Sequence, residues 1–324
     1  MMIGNIKTAV VTGVTGFVGR YLSEHLRARG MVVSGCDLAL PPEAIAQVEV
    51  QVLDITDAAR VQAYIAAVQP DYVFHLAGLS SVSLSFKKPE VTRAINVGGT
   101  RNLLDALKNI ASKAKIVIVS SAEVYRSSSN PLKETDELDG SLSPYAASRV
   151  EQEALCAEYP DLHIRISRSF NHIGPRQAPQ FVAASFAQQV AQIMLGQAEP
   201  LVRVGNLEVI RDFSDVRDMV TAYLLLAERG QDGEVYNIGS SRGVTVRFLL
   251  DYLITLSGRQ IEVQIDPERY RASDNPMLIC DNAKFVQQTG WQAAYSLEQT
   301  LADMLEYWRQ LVALSGASEE PVTR

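Results

Sequence analysis

The sequence predicts an α/β protein: a doubly wound parallel sheet in the first half and a smaller α+β lobe in the second. Three observations carry this. Short apolar runs alternate with helix-period segments from Lys7 to Ser167. Three glycines at a spacing of three join the first apolar run to the first helix. Beyond about Asn171 the rhythm breaks, with Pro175, Pro179 and Pro200 as punctuation and shorter, less regular elements. We therefore expect a nucleotide-type domain over 1–170, completed by returning segments from the C-terminal half, and a second lobe mainly over 171–324.

Ala9–Val11 reads as a buried strand. Gly13, Gly16 and Gly19 follow it, and Phe17, Val18, Tyr21, Leu22 and Leu26 then fall on one helical face. A second apolar run from Met31 ends in Asp37. Strand, glycine turn, helix, strand and acid together form the dinucleotide fingerprint of a Rossmann-type sheet. Gly13 permits a tight turn, Gly16 a close approach of backbone to pyrophosphate, and Gly19 a close helix–strand contact. Thr15, Phe17 and Val18 complete the turn that faces the cofactor. The helix N-terminus offers unpaired N–H groups to phosphate. Asp37 suits the hydroxyls of an adenosine ribose, which favours NAD(H) and leaves NADP(H) possible.

The remaining elements follow in order. Val48–Leu53 reads as a strand ending at Asp54, and 57–68 as a helix stopped by Pro70. Tyr72–Leu76 runs as a strand into Ala77-Gly78. Pro89 opens one long helix to about Ile110. Lys115–Ser120 is a β-branched strand. Pro144–Tyr159 is helical with Ser143 as N-cap, and Leu162–Ser167 is again a strand. In the second half, Phe181–Leu195, Val216–Arg229, Thr245–Leu256, 282–289 and 297–311 read as helices, and Glu234–Ile238 as a strand. The loops after Thr12, Asp54, Leu76 and Ser120 should meet at the carboxyl ends of the strands, where such sheets bind ligands.

Bulk properties narrow the classes. The chain has 324 residues, 47% hydrophobic, enough for a large core. A net charge of −7 argues against nucleic-acid binding. No apolar run approaches a membrane span, and the N-terminus carries no basic, hydrophobic leader pattern, so a cytoplasmic protein is expected. Cys36, Cys156 and Cys280 are scattered in apolar surroundings, which suits reduced core thiols and neither a disulfide frame nor a metal site.

Ser143-Pro144-Tyr145-Ala-Ala-Ser-Arg149 is the second informative stretch. Tyr145 and Arg149 lie one helical turn apart. Upstream, Ser121 and Glu123 follow a buried strand at the ligand-binding edge. A hydroxyl, a phenol and a fixed cation beside a dinucleotide suit proton transfer coupled to hydride transfer. A phenol with an ordinary pKa near 10 is a poor base at neutral pH, and a nearby cation favours its ionised form. Ser121 can stabilise charge on a substrate oxygen.

Gly13-x-x-Gly16-Phe-x-Gly19, Ser121 and Tyr145-x-x-x-Arg149 resemble the extended short-chain dehydrogenases/reductases of the nucleotide-sugar branch. His75-Leu-Ala-Gly78, Asn96-Val-Gly-Gly-Thr100, Phe170-Asn-His-Ile-Gly-Pro-Arg176 and Val204-Gly-Asn to Asp218 extend the likeness over nearly the whole chain. It is greatest to the GDP-4-keto-6-deoxy-D-mannose reductases, with the GDP-mannose 4,6-dehydratases close behind. This resemblance implies cofactor contacts at Asp54, Ile55, Leu76, Ala77, Gly78, Phe170 and His172. It implies sugar contacts at Ser80, Ser81 and Val82. Nucleotide contacts would come from Asn171, Val182, Arg203, Arg211, Arg271 and Asp274. It also implies a homodimer in which the helices 89–110 and 144–159 form a four-helix bundle.

Two departures matter. The family has lysine where this chain has Arg149, and the two are not interchangeable at a ribose contact. Either Arg149 works with adjusted geometry or the chain is a slow or non-catalytic nucleotide binder. Dehydratases place polar or acidic groups directly after the catalytic hydroxyl; here the first such position is Ala122, leaving Glu123 as the one available base. Ketone reduction at C4 is thus favoured over dehydration, with 4-epimerisation by a recycled NAD as the alternative. Arg126 replaces a customary glycine.

Overall fold

The computed structural model describes residues 6–41, 43–269 and 275–317. The elements run in chain order. The first half contains β1 (Thr8–Thr12), α1 (Phe17–Ala28), β2 (Val32–Asp37), β3 (Val48–Val52), α2 (Ala58–Val68), β4 (Tyr72–His75), α3 (Val82–Lys87), α4 (Pro89–Arg93), α5 (Gly99–Asn109), β5 (Lys115–Ser121), α6 (Pro144–Cys156) and β6 (His163–Ser169). Then come β7 (Asn171–Ile173), α7 (Val182–Met194), β8 (Leu201–Val204), β9 (Ile210–Asp215), α8 (Val216–Arg229), β10 (Val235–Ile238), β11 (Gly243–Thr245), α9 (Val246–Ser257), β12 (Glu262–Ile265), β13 (Met277–Leu278), α10 (Ala283–Thr289) and α11 (Leu297–Ala317).

Seven parallel strands form the main sheet in the order β10-β6-β5-β4-β1-β2-β3. Its central strands β1 and β4 are near-continuous apolar runs because both faces are covered, whereas the edge strand β3 is largely exposed. Side chains alternate between those faces. Ala9, Val11, Phe74 and Val117 meet α1 and α8, while Val10, Val73, Ile116 and Ile118 meet α2, α5 and α6. Strand β10 and helix α8 come from the second half of the chain, so the sheet is finished by returning segments. The remaining lobe holds its own core, in which α7, α9 and α11 pack around β8 and β9. Chain order reverses between β1 and β4, which opens the crevice where ligands bind in such sheets.

Some boundaries differ from expectation. The single helix expected over 89–110 is α4 and α5 joined by a π-helical turn, Ala94–Gly98. The wide turn carries Asn96 inward, where its side chain accepts from the Leu79 N–H at 2.8 Å and donates to Ser148 Oγ at 2.9 Å. Helix α3 was not anticipated; Ser81 caps it by accepting from the Leu84 N–H at 3.2 Å. The short strands of the second lobe were likewise missed. Among the described residues, no helix is long and apolar enough to cross a membrane and no cluster of three metal-ligating side chains occurs. All three cysteines are free and buried, and burial pushes the Cys36 and Cys156 thiols up to about 12.

Candidate active site

The glycine turn is built by close backbone approach. Gly13 has φ 72°, and a Cβ there would stand 2.9 Å from Ala77 N. A Cβ on Gly19 would stand 2.2 Å from the Gly13 carbonyl oxygen. Helix α1 begins at Gly16 with no side-chain cap and no acid in its first turn, so its leading N–H groups are open to an anion. Asp37 lies at the carboxyl end of β2. Its Oδ2 accepts from Thr15 N–H at 3.0 Å and Thr15 Oγ1 at 2.7 Å, and its Oδ1 from Leu38 N–H at 2.8 Å. Phe17 stacks on His172 with ring centroids 6.3 Å apart, and Val18 is half-buried behind it. This cradle, which a Cβ would fill, and the open helix end fit a dinucleotide.

Other residues expected at the cofactor vary in what they can offer. Asp54 is exposed and accepts from Thr56 N–H at 2.8 Å. Leu76 and Ala77 are half-buried beside the glycine turn, and Gly78 is exposed. Ile55 is a packing residue: its side chain is buried against Gly99 and its carbonyl accepts from Asn102 Nδ2 at 3.0 Å. Phe170 is also wholly buried, its ring centroid 6.4 Å from that of Tyr125.

Ser121 closes β5 at the same edge. Its Oγ accepts from the Glu123 N–H at 3.2 Å, capping the short turn Ala122–Val124. Ala122 is buried and Glu123 half-buried. Tyr145 sits in the first turn of α6, which starts at Pro144 and is capped by Ser143 accepting from Ala146 N–H at 3.0 Å. Ser85 of α3 accepts from the Tyr145 N–H at 3.1 Å, tying the loop of Ser80, Ser81 and Val82 to the phenol's helix. One turn on, the Arg149 guanidinium lies 5.3 Å from the Tyr145 ring centroid. Its Nη1 donates to the Val119 carbonyl at 3.1 Å and to Gln152 Oε1 at 2.8 Å. Its Nε is buried without a partner.

Behind Ser121 lies a buried polar network that sequence reasoning missed. Ser120 Oγ donates to Glu153 Oε1 at 2.5 Å. Glu153 in turn accepts from Arg168 Nε and Nη2, the latter at 2.7 Å. Arg168 Nη1 reaches the Tyr125 hydroxyl at 2.9 Å, and that hydroxyl donates to Asn237 Oδ1 at 2.6 Å. Burial opposes the charge on Arg168, but its bonds to Glu153 outweigh this and raise its pKa. A signal existed: Tyr145, Arg149, Gln152 and Glu153 form a polar stripe at helical spacing on a face that had to pack.

The residues expected at the nucleotide belong to the second half of the chain. Asn171 is exposed on β7, whose neighbour β9 carries Arg211; Asn171 pairs with Phe213, so the two residues sit two register positions apart. Arg211 is 8% exposed and donates to the Ile210 carbonyl at 2.9 Å. It does not belong to a surface pair with Asp212, which is fully buried and accepts from Ser240, Ser241 and Cys280 N–H groups. Val182 opens α7 and is 37% exposed. Arg203 on β8 donates to Gln264 Oε1 at 3.1 Å. Arg271 and Asp274 lie outside the described residues. Arg126 bonds Glu137 Oε2 at 2.6 Å, closing its own loop.

Comparison with known proteins agrees with the fold. The sequence profile described as GDP-mannose 4,6 dehydratase matches residues 10–304. The GDP-6-deoxy-D-mannose reductase of Pseudomonas aeruginosa is 33% identical over 314 residues, covering 93% of this chain and 97% of its own. RMD from Pseudomonas aeruginosa, solved in complex with NADPH, superposes with a TM-score of 0.83 at 31% identity, over 94% of this chain and 99% of the other. UDP-glucose 4-epimerase of Thermus thermophilus, solved with NAD, gives 0.83 at 27% identity, over 93% and 99%.

Proposed function

The chain belongs to the GDP-mannose 4,6-dehydratase family, and from that membership we propose that it reduces a 4-keto-6-deoxy GDP-sugar at C4 with a nicotinamide cofactor. The observation that carries reduction over dehydration is Ala122. It follows Ser121 directly, is 3% exposed, and has no group to give or take a proton. Glu123 alone does not supply both the acid and the base that loss of a 6-hydroxyl requires.

The cofactor, when bound at the glycine turn, supplies the hydride. The chain handles the rest. Tyr145 gives its phenolic proton to the C4 oxygen as the alcohol forms, and Ser121 holds that oxygen. Arg149 keeps a fixed positive charge against the phenol. Asn171 and Arg211 hold the diphosphate, the planar guanidinium offering paired N–H donors to its oxygens, with Val182 and Arg203 flanking the nucleotide and Ser80, Ser81 and Val82 facing the sugar. Asp37 favours NAD(H), because a 2′-phosphate would meet its carboxylate. We further propose a cytoplasmic homodimer built on α4–α5 and α6.

A second reading, 4-epimerisation, is favoured by the same Asp37, since an epimerase recycles a retained NAD. Stoichiometry separates them. Purified protein with GDP-4-keto-6-deoxymannose and NADH or NADPH should lose absorbance at 340 nm, one cofactor per deoxysugar formed. Sugar isomerisation with no net cofactor change would instead establish the epimerase.

A further inference from the structure

Arg149 stands where the resemblance implies a lysine, and its surroundings fit the larger head. Gly78 leaves the space: a Cβ there would stand 2.7 Å from Arg149 Nη2. Gln152, less than one turn along α6, takes Nη1 on its Oε1 at 2.8 Å. A chain of buried groups then fixes Gln152. Its Nε2 donates to Thr100 Oγ1 at 2.7 Å, and Thr100 donates to the Asn96 carbonyl at 2.6 Å. His75 Nε2 lies 2.9 Å from the same Thr100 oxygen, and His75 Nδ1 lies 2.8 Å from Thr12 Oγ1. Thr12 Oγ1 also accepts from Ala77 N–H at 3.1 Å.

Donor accounting gives this chain one direction. The Thr100 hydroxyl proton is used on Asn96, so its oxygen accepts from both Gln152 and His75. His75 therefore carries its proton on Nε2, and its Nδ1 accepts from Thr12. Every one of these buried groups is satisfied with His75 neutral. Burial, with the charge of Arg149 adding to it, lowers the His75 pKa to about 3. The relay joins Arg149 to the end of β1, next to the glycine turn. It leaves Arg149 Nε buried without a partner, and its Nη2 against Gly78.

We propose that Gln152, held by Thr100, is the positioning residue for Arg149: together with the Val119 carbonyl it occupies Nη1 of the guanidinium and thereby presents the rest of the head to the bound cofactor. This rests on the dinucleotide reading of the site and is independent of which sugar is reduced. A lysine has no second arm and needs no such clamp, so the role of Gln152 is specific to arginine.

A double-substitution cycle tests this by titrating NADH and NADPH fluorescence, with no turnover required. Gln152→Leu should weaken cofactor binding by about tenfold or more in the wild-type chain, a loss on the order of one buried charged hydrogen bond. In the Arg149→Lys background the same change should alter binding by less than about twofold. Gly78→Ala provides a second arm, since it displaces the flexible Nη2. Its Cβ would also stand 2.9 Å from Asn96 Oδ1, a cost common to both backgrounds that cancels in the cycle. It should therefore weaken binding more with Arg149 than with the lysine. Equal losses in both backgrounds, or no loss from Gln152→Leu, would overturn the proposal, as would a wild-type protein that binds neither nucleotide. Nucleotide binding without turnover of any GDP-sugar would overturn the reductase reading and leave this cycle to be decided on its own values.

Discussion

Thr15 donates both its backbone N–H and its hydroxyl to one oxygen of Asp37, at 3.0 and 2.7 Å. The acid proposed to read the ribose therefore also braces the glycine turn. Asp37→Ala should weaken NADH by about tenfold to a hundredfold, the value of a charge-assisted pair of bonds. NADPH should lose less, because the carboxylate that repels a 2′-phosphate has gone. Calorimetric titration of both cofactors checks this; an unchanged NADH to NADPH ratio would show that Asp37 does not read the ribose.

Tyr145→Phe should preserve the fold and cofactor affinity while turnover falls by about 10²–10⁴-fold. Ser121→Ala should cost about 10²–10³-fold as the substrate oxygen loses its donor. It should also loosen the Ala122–Val124 turn that Ser121 caps. Steady-state kinetics with melting curves separate the two effects.

Glu153 and Arg168 are both under 10% exposed, and their pair lies beneath Ser120. Glu153→Leu leaves a buried guanidinium without its anion and should cost about 3–5 kcal/mol in urea unfolding. The double variant Glu153→Leu, Arg168→Met should recover most of that loss, because no uncompensated charge remains.

His75 titrates at about 3 in the folded chain and near 6.5 when unfolded. Between these values the unfolded state binds more protons, so stability is complete above about pH 6.5 and is lost as pH falls toward 3. His25 and His172 are shifted down as well, each mainly by burial, and act in the same direction. His75→Gln should therefore flatten, without abolishing, the fall in melting temperature between pH 6.5 and 4.

How much of this was legible in the sequence differs from element to element. Gly13, Gly16, Gly19 and Asp37 could be read because their spacing reflects backbone geometry that few other residues satisfy. Ser143-Pro144-Tyr145 marked the start of α6 because caps act locally. The π-helical turn at Asn96 was hidden, since it depends on a partner at Leu79, distant in sequence. Gln152, Thr100 and His75 each look like ordinary polar residues alone; only three-dimensional packing makes them consecutive. Strands β7 and β13 are too short for a period to emerge, and their neighbours on β9 define them. Ile55 and Phe170 are expected at the cofactor from the resemblance alone, and their side chains pack into the core.

Reduction of a 4-keto-6-deoxy GDP-sugar by this chain is expected to require Tyr145 as proton donor. The most direct measurement follows 340 nm absorbance and product composition together, with GDP-4-keto-6-deoxymannose and excess NADH or NADPH, for wild type and Tyr145→Phe. One cofactor should be oxidised per GDP-deoxysugar formed, with the signal lost in Tyr145→Phe. Sugar conversion without cofactor oxidation, or equal oxidation by both proteins, would contradict it.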